Sequence, residues 1–121
     1  MTKINNAIIM AAGMGTRMRP LTNETPKPLV KVNGIRMIES IIQALYQENI
    51  TDITVVTGYL ADKFEFLSKK YENLKLIHNP YFNQYNNISS LYVARKKLKN
   101  TIILKNQVMQ VVQLINGRMN G

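Results

Sequence analysis

The sequence predicts an α/β fold in which helices cover a mainly parallel sheet. Short apolar or β-branched runs of strand length alternate with stretches whose apolar residues recur at helical spacing. The first run is apolar without a break, as in a strand buried on both faces. Such alternation produces βαβ units with right-handed crossovers, and 121 residues fit one domain.

The first half of the chain is expected to contain two strands and two helices. Residues 7–11 (AIIMA) form the unbroken apolar run and are the first strand. Apolar residues at 37, 38, 41, 42 and 45 have helical spacing and predict an amphipathic helix, with Gly34 before it and Asn49 after it as its boundaries. The β-branched run 53–56 predicts the second strand, and apolar residues at 60, 64, 67 and 71 predict the second helix.

The second half is expected to continue the alternation. Residues 74–77 (LKLI) predict a third strand, the apolar stripe within 88–98 a third helix, and residues 101–104 a fourth strand. The segment 105–121 fits one helix face by its apolar spacing and a strand by its β-branched content. We favour a helix that ends at Asn116-Gly117.

Composition narrows the classes of function. The net charge of +9 indicates an anionic partner, which a nucleotide, a phosphorylated metabolite, nucleic acid or a membrane surface would each satisfy. The absence of cysteine excludes a disulfide framework or a thiolate metal site, and His78 alone cannot build a metal cluster. The first apolar run is too short for a signal peptide or a membrane span, so we expect a soluble, cytoplasmic protein.

The strongest functional signal follows the first predicted strand, in AAGMGTRMRPLTNETPKPL (residues 11–29). In open parallel sheets, ligands bind outside the carboxyl ends of the strands. Gly13 and Gly15 can bring backbone N–H groups close to an anion, although such a pair taken alone is more commonly a tight turn. Arg17 offers a planar fork to phosphate oxygens, and Lys27 offers a point charge on a backbone stiffened by two prolines.

This stretch resembles the signature of the nucleotidyltransferases that make NDP-sugars and CDP-alcohols, A-A-G-x-G-x-R-x-x-P-L-T followed by P-K-P/A-L. Here it reads AAGMGTRMRPLT at residues 11–22 and PKPL at residues 26–29. Dinucleotide and P-loop fingerprints fail, since Met18 replaces a third glycine and no Gly-Lys-Ser/Thr follows. The segment NPYFNQYNNISSLYVA (residues 79–94) is most similar to the phosphocholine cytidylyltransferase branch.

The resemblance implies both a fold and a reaction. The fold would be the N-terminal half of a Rossmann-like three-layer sandwich of the nucleotide-diphospho-sugar transferase type. A phosphate oxygen of an acceptor such as phosphocholine would attack the α-phosphorus of a nucleoside triphosphate, CTP rather than UTP or dTTP. Pyrophosphate would leave, and Mg²⁺ would bridge the reactants.

The resemblance also implies the site residues. The nucleotide-binding candidates, which would contact the nucleoside or the β- and γ-phosphates, are Ala11, Ala12, Gly13, Gly15, Thr16, Asn87 and Ser90. Arg17 and Lys27 are the catalytic candidates, Arg17 at the β- and γ-phosphates and Lys27 near the α-phosphate. Asn87 fits the N-cap of the predicted third helix equally well.

Aromatic residues cluster near the predicted third helix. They could help to form a cage for a quaternary ammonium group such as choline, although core or surface packing is the commoner role of such residues. These residues are Tyr81, Phe82, Tyr85 and Tyr92.

The resemblance fails at the end of the fourth predicted strand. Family members carry an Asp-x-Asp or similar acidic motif there for Mg²⁺, a hard cation that prefers oxygen ligands. This chain has Lys105-Asn106-Gln107 instead. We therefore expect Mg²⁺ for the family but no metal site in this chain, and little or no turnover by this chain alone.

Family members are also longer than this chain by about a hundred residues, so we expect a truncated or half-length member. Residues 1–104 would form the nucleotide-binding domain, and residues 105–121 an atypical tail. Uncovered strand edges and apolar helix faces in such a half-sheet predict a homodimer.

Three other functions stay open. A sugar-1-phosphate nucleotidyltransferase is the nearest enzyme, and a non-catalytic nucleotide-binding module is the nearest alternative of another class. The basic last third would suit a nucleic-acid binder, but the run Arg95-Lys96-Lys97 is more commonly the solvated end of a helix. We expect neither nucleic acid nor a membrane as a partner.

Overall fold

The computed structural model describes residues 4–13, 19–80, 92, 94, 101–105, 110–115 and 118–120. The strands are β1 (Asn6–Ala11), β2 (Lys31–Val32), β3 (Ile35–Arg36), β4 (Asp52–Thr57), β5 (Leu74–His78), β6 (Thr101–Lys105), β7 (Gln110–Ile115) and β8 (Arg118–Asn120). The α-helices are α1 (Met37–Gln47) and α2 (Glu65–Lys70), and 3-10 turns occupy Leu21–Asn23, Lys27–Leu29 and Ala61–Phe64.

In the described part of the chain, six strands form one sheet in the order β5-β4-β1-β6-β7-β8. The neighbours within β5, β4, β1 and β6 pair in parallel, whereas β7 and β8 continue the sheet antiparallel. The short strands β2 and β3 form a separate hairpin. The predicted α/β class with a mainly parallel sheet is therefore confirmed.

β1 lies in the middle of the parallel strands, and all six of its residues are buried. Ile9 packs in one hydrophobic cluster with residues of α1 and α2, while Ile8 packs in a second cluster with Val56 and Ile103. Successive strand residues point to opposite faces, so the unbroken apolar run is needed to serve two cores at once. The sheet is the middle layer of the fold.

α1 follows the predicted apolar stripe. Ile38, Ile42 and Leu45 are buried in the first cluster. Asn49, predicted as the boundary, takes a left-handed φ of 61°. Its N–H donates to Tyr46 O at 3.0 Å, and the N–H of Ile50 donates to Leu45 O at 2.9 Å. This pattern is the Schellman motif, which satisfies the last helix carbonyls.

The second helical stripe is divided. Phe64, Leu67 and Tyr71 are buried as predicted, but Leu60 has a left-handed backbone with φ 50° and ψ 45°. The helical segment begins after Leu60 as a 3-10 turn and becomes α-helical only at Glu65. The predicted strands near residues 7–11, 53–56, 74–77 and 101–104 are all present.

The prediction of a helix in the 105–121 segment is wrong, because β7 and β8 occupy it. β7 pairs with β6 from Thr101↔Leu114 to Lys105↔Gln110, which satisfies backbone groups that the edge of β6 would otherwise expose. The β-branched content of this segment fits the observed strands, and the edge of β6 gives β7 its pairing partner. Asn116-Gly117, taken as a helix end, lies outside the described residues, between the antiparallel partners β7 and β8.

The hairpin of β2 and β3 was not predicted. Asn33 and Gly34 connect its strands with φ of 53° and 81°, as a two-residue turn with two left-handed residues requires. The predicted third helix at 88–98 lies outside the described residues except at positions 92 and 94. None of the helices that the structure describes is long and apolar enough to cross a membrane.

Candidate functional site

The carboxyl ends of the four parallel strands meet at one edge of the sheet. Ala11, the last residue of β1, pairs with Thr57 of β4, and Met10 pairs with Lys105 of β6. Thr57 in turn pairs with His78 at the end of β5. Parallel α/β sheets bind their ligands at this edge, so residues that follow these strands are the candidates.

The segment 12–29, here called the glycine–proline connection, leaves β1 at this edge. Ala11 and Ala12 are 2% and 5% exposed, whereas Gly13 is exposed. Gly13 is not among the residues with positive φ, and a Cβ built on it would meet no described atom within 4 Å beyond its chain neighbours. Neither backbone strain nor packing in the described part of the protein requires a glycine here. Among the described residues, the space around a Cβ at Gly13 is empty.

Lys27 lies further along the same connection, where the backbone is held on both sides. It begins the 3-10 turn Lys27–Leu29 between the buried residues Pro26 and Pro28. The N–H of Leu29 donates to Pro26 O at 2.9 Å, and the N–H of Val30 donates to Lys27 O at 3.1 Å. The side chain of Lys27 is half-buried. The predicted stiff support for this cation is therefore present.

Tyr59 ties the glycine–proline connection to the segment after β4. Its N–H donates to Ala12 O at 3.1 Å, and its hydroxyl donates to Thr22 O at 2.7 Å. Thr22 is fully buried. In the sequence Tyr59 is visible only as part of Gly58-Tyr59-Leu60. Its position directly after a strand that neighbours β1 is the signal that could have identified it.

Asn79 supports the neighbouring edge and was also missed as a single residue. It is fully buried just after β5, and its N–H donates to Thr57 O at 2.7 Å. The Thr57 hydroxyl in turn lies 3.5 Å from Ile77 O, to which it donates. These bonds join the carboxyl ends of β4 and β5.

An open cavity of about 560 Å³ borders the connection without including Gly13 or Lys27. Its walls carry Lys31, Arg36 and Lys63 against the one carboxylate of Glu24. The guanidinium of Arg36 lies 4.6 Å from the ring centroid of Phe66 and donates to Glu39 at 3.1 Å. Because strand topology and the open space at Gly13 both indicate the carboxyl edge, we assign the candidate site there and not to this cavity.

The described residues at this edge do not fit a Mg²⁺ ion. Lys105 is the last residue of β6, where its backbone pairs with Met10 beside the end of β1. No group of three or more His, Asp or Glu residues comes together in the part of the chain that the structure describes. A cationic residue at this position opposes a divalent cation, which prefers carboxylate oxygens.

The remaining candidates divide by whether the structure describes them. Those outside the described residues are Gly15, Thr16, Arg17, Asn87 and Ser90, together with the aromatic residues Tyr81, Phe82 and Tyr85. Tyr92, the other aromatic candidate, is 62% exposed. Of the nine site residues, the structure describes four: Ala11, which ends β1, and Ala12, Gly13 and Lys27, which belong to the glycine–proline connection.

Comparison with known proteins identifies the relatives of this chain. Residues 6–112 match the family described as nucleotidyl transferase. The 2-aminoethylphosphonate cytidylyltransferase of Lancefieldella rimae is 53% identical over 89 residues, which are 74% of this chain and 36% of that protein. The choline-phosphate cytidylyltransferase of Streptococcus pneumoniae is 44% identical over 98 residues, 81% of this chain and 42% of that protein.

Solved structures agree with these relatives. The CTP:phosphocholine cytidylyltransferase from Streptococcus pneumoniae superposes with a TM-score of 0.79 at 44% identity, over 83% of this chain and 43% of that one. The inositol-1-phosphate CTP transferase from T. maritima, at 19% identity and a TM-score of 0.71, shares the fold. The chain spans about two fifths of the length of the relatives it matches.

Proposed function

Because this chain belongs to the nucleotidyl transferase family, we propose that it binds CTP for transfer of CMP to a phosphorylated acceptor such as phosphocholine. A phosphate oxygen of the acceptor bonds to the α-phosphorus, and the bond from the α-phosphorus to the bridging oxygen of pyrophosphate breaks. The names of the two cytidylyltransferase relatives support CTP, and the choline-phosphate enzyme supports the acceptor class.

One observation carries this proposal, namely the open space at Gly13 at the carboxyl end of β1. A phosphorylated ligand can approach the backbone closely only where no Cβ intervenes. Ala11, Ala12 and Gly13 contact the nucleoside, and Lys27 balances charge near the α-phosphate as pyrophosphate leaves. Gly15, Thr16 and Arg17 hold the β- and γ-phosphates.

Two further residues complete the proposed nucleotide site. Asn87 and Ser90 face the nucleoside, as the family signature suggests. This assignment would place the base beyond Gly13 and the triphosphate along the glycine–proline connection. The aromatic residues near position 85 are a secondary candidate for the ammonium group of the acceptor.

Turnover by this chain alone is proposed to be weak or absent. The donor set at the end of β6 does not fit Mg²⁺, because Lys105 stands where a carboxylate is needed. We assign no step to a metal ion in this chain. CTP binding is therefore expected to persist in a chelator, because the glycine–proline connection supplies the contacts to the phosphates.

Two alternatives differ in what they bind or release. A sugar-1-phosphate nucleotidyltransferase would prefer UTP or dTTP over CTP and accept a sugar phosphate. A non-catalytic nucleotide-binding module would bind CTP with no pyrophosphate release under any condition, and the lysine at the end of β6 favours it over an active single chain. Because CTP and phosphorylated acceptors are metabolites of the cytoplasm, we propose that location.

We also propose that the chain forms a homodimer. Among the described residues, Leu21, Val32 and Ile35 are large apolar side chains that are 47% to 54% exposed. Val32 and Ile35 are register partners in the β2–β3 hairpin, so they form one exposed apolar pair. Such a pair gains stability when a second copy covers it.

The experiment that tests the function compares the wild type with Gly13→Ala and Gly34→Ala. Each chain is titrated calorimetrically with CTP and separately with UTP, with Mg²⁺ and with a chelator, and pyrophosphate release is then measured with phosphocholine. We expect the wild type to bind CTP more tightly than UTP in the chelator. Gly13→Ala should weaken CTP binding at least about tenfold without lowering the unfolding free energy, since its Cβ meets no described protein atom within 4 Å beyond its chain neighbours and would stand in the proposed ligand space.

Gly34→Ala is the matched control, because it adds the same methyl group at a left-handed position in the hairpin. It should lower the unfolding free energy and leave the CTP affinity unchanged. Absence of CTP binding by the wild type would contradict the proposed function. Equal CTP affinity in the wild type and Gly13→Ala would contradict the role of Gly13, and turnover by the wild type would contradict our interpretation of Lys105.

A further inference from the structure

We propose that Tyr59 is a positioning residue that holds the glycine–proline connection in the shape that receives the triphosphate. The inference rests on the proposed function, because the connection is taken as the phosphate-binding segment. Tyr59 itself need not touch the nucleotide. Its role would be to fix the backbone at two points of the connection.

The two contacts of Tyr59 lie ten residues apart along the chain. Its backbone N–H donates to Ala12 O at 3.1 Å, where the connection leaves β1. Its hydroxyl donates to Thr22 O at 2.7 Å and lies 3.4 Å from Asn23 O. Tyr59, in the segment after β4, therefore holds both Ala12 and Thr22 by hydrogen bonds, one through its backbone and one through its side chain.

The second contact is made at a rigid point. Thr22 is fully buried, and its carbonyl belongs to the 3-10 turn Leu21–Asn23. The N–H of Asn23 donates to Pro20 O at 3.1 Å within the same turn. The hydroxyl of Tyr59 therefore donates to a carbonyl whose position is fixed by a hydrogen-bonded turn.

Leu60, the residue after Tyr59, has an unfavourable backbone conformation. Leu60 has φ 50° and ψ 45°, a left-handed conformation that is unfavourable for leucine because its Cβ crowds the following carbonyl oxygen. Leu60 stands directly between Tyr59 and the 3-10 turn Ala61–Phe64. The fold keeps this conformation where the chain turns from Tyr59 into its second helical segment, and such outliers concentrate at functional segments.

A connection held at Ala12 and Thr22 favours ligand binding, because its backbone loses less conformational freedom when the phosphates bind. Residues 12–22 include the glycines and Arg17, which are proposed to hold the β- and γ-phosphates. The nucleoside, by contrast, is proposed to rest on the backbone of Ala11 to Gly13. Ala11 pairs with Thr57 of β4, and Ala12 O accepts from the Tyr59 N–H, a bond that does not involve the hydroxyl. Loss of the hydroxyl should therefore weaken CTP binding more than CMP binding.

The test uses Tyr59→Phe, with Tyr46→Phe as the matched control. Tyr46 stands on α1, where its ring packs edge-on against Tyr71 at a centroid distance of 5.8 Å. The affinity of each chain for CTP is measured by calorimetry without metal, and that for CMP by competition against CTP. Urea unfolding of the same samples reports whether each variant is folded.

We expect Tyr59→Phe to weaken CTP binding about threefold to tenfold, the effect of losing one hydrogen bond, and CMP binding less than about twofold. Tyr46→Phe should change neither affinity. A purely structural role would lower both affinities by one common factor, so an unchanged ratio of CTP to CMP affinity would overturn the inference, as would an unchanged CTP affinity. If the wild type binds no CTP, the proposed function itself fails, whereas wild-type binding with an unaffected Tyr59→Phe overturns only the role of Tyr59.

Discussion

At the scale of single residues, Glu39 on α1 is a buried carboxylate that three neighbouring side chains contact. Its carboxylate is 4% exposed and accepts hydrogen bonds from the Tyr71 hydroxyl at 2.8 Å and from Arg36 at 3.1 Å. The Nζ of Lys70 lies 2.6 Å from the same carboxylate. Burial without partners would make a carboxylate here very costly, so these donors allow Glu39 to be ionised inside the fold.

These contacts of Glu39, here called the Glu39 cluster, lower the pKa of Glu39 and raise that of Tyr71. Burial alone would raise the pKa of Glu39, but hydrogen bonds from Lys70, Tyr71 and Arg36 outweigh it and hold the pKa below the ordinary 4.5. Burial and the hydrogen bond to Glu39 raise the pKa of Tyr71 from 10.0 to about 12. The Glu39 contribution to stability is present above its unfolded pKa and lost as the pH falls below it. The Tyr71 contribution is present below pH 10 and lost as the pH rises toward 12.

Tyr71→Phe tests this cluster. The variant removes a hydrogen bond to a charged, buried acceptor, so we expect the unfolding free energy at pH 7 to fall by about 2 kcal/mol. The difference between wild type and variant should be constant through neutral pH and shrink between pH 10 and 12, where Tyr71 ionises in the unfolded wild-type chain before it ionises in the folded protein. Urea unfolding of both proteins at a series of pH values measures this difference in unfolding free energy.

Tyr46→Phe serves as the control for that series, since it removes a hydroxyl from the neighbouring ring. We expect it to change the unfolding free energy by less than about 0.5 kcal/mol. A Tyr71→Phe curve parallel to the wild-type curve up to pH 12 would show that Tyr71 does not carry the alkaline dependence.

At the scale of elements, the β2–β3 hairpin depends on its turn more than on its packing. Both strands have two residues, and Val32 and Ile35 are about half exposed. The left-handed φ values of Asn33 and Gly34 provide the twist that joins such short antiparallel strands. The hairpin leads directly into α1, where Met37 N–H donates to Val30 O at 3.0 Å.

Gly34→Ala is therefore expected to lower the unfolding free energy by about 1 kcal/mol, through backbone strain alone. The added Cβ would meet no atom within 4 Å, so no steric clash contributes. Thermal unfolding measures the change. Asn33 also has a left-handed φ, which asparagine adopts more easily than alanine and glycine adopts most easily. Asn33→Gly should therefore be neutral or stabilising. A stability loss in Asn33→Gly equal to that in Gly34→Ala would contradict this explanation.

At the scale of the whole molecule, the sheet has a parallel half and an antiparallel end. β5 is the edge strand on one side, and β8 is the edge strand on the other. The candidate site lies at the carboxyl ends of β1, β4 and β6, in the parallel half. The net charge of +9 favours anions over the whole surface, and the glycine–proline connection is where we propose that one binds.

The proposed homodimer is tested by light scattering at working concentration, where we expect twice the mass of 13.9 kDa. Val32→Lys should shift the mass toward the monomer because it introduces a charge into the exposed apolar pair of the hairpin. Ser40→Lys, at an exposed position of α1, is the control and should keep the wild-type mass. A monomeric wild type would contradict the dimer.

Much of the fold could be predicted because its signals are local. The run at 7–11 predicts a doubly buried strand, and the stripe ending at Asn49 predicts α1, since apolar periodicity and left-handed caps act within a few residues. The segment 110–115 could not be predicted in this way. Its apolar spacing fits a helix. The segment forms a strand because it lies beside the edge of β6, whose backbone groups it pairs with.

The candidate site divides along the same line. The order of residues 11–29 was sufficient to indicate the family and the position of Gly13 and Lys27 after β1. The role inferred for Tyr59 required the tertiary structure, because its hydroxyl reaches Thr22 across 37 positions of the chain. The periodic elements and the family signature could be recognised without a structure, since both depend on residues that are close in sequence. Strand order, the strands Gln110–Ile115 and Arg118–Asn120, and the hydrogen bonds of Tyr59 to the connection required the folded chain, since each depends on groups that are distant in sequence and brought together by folding.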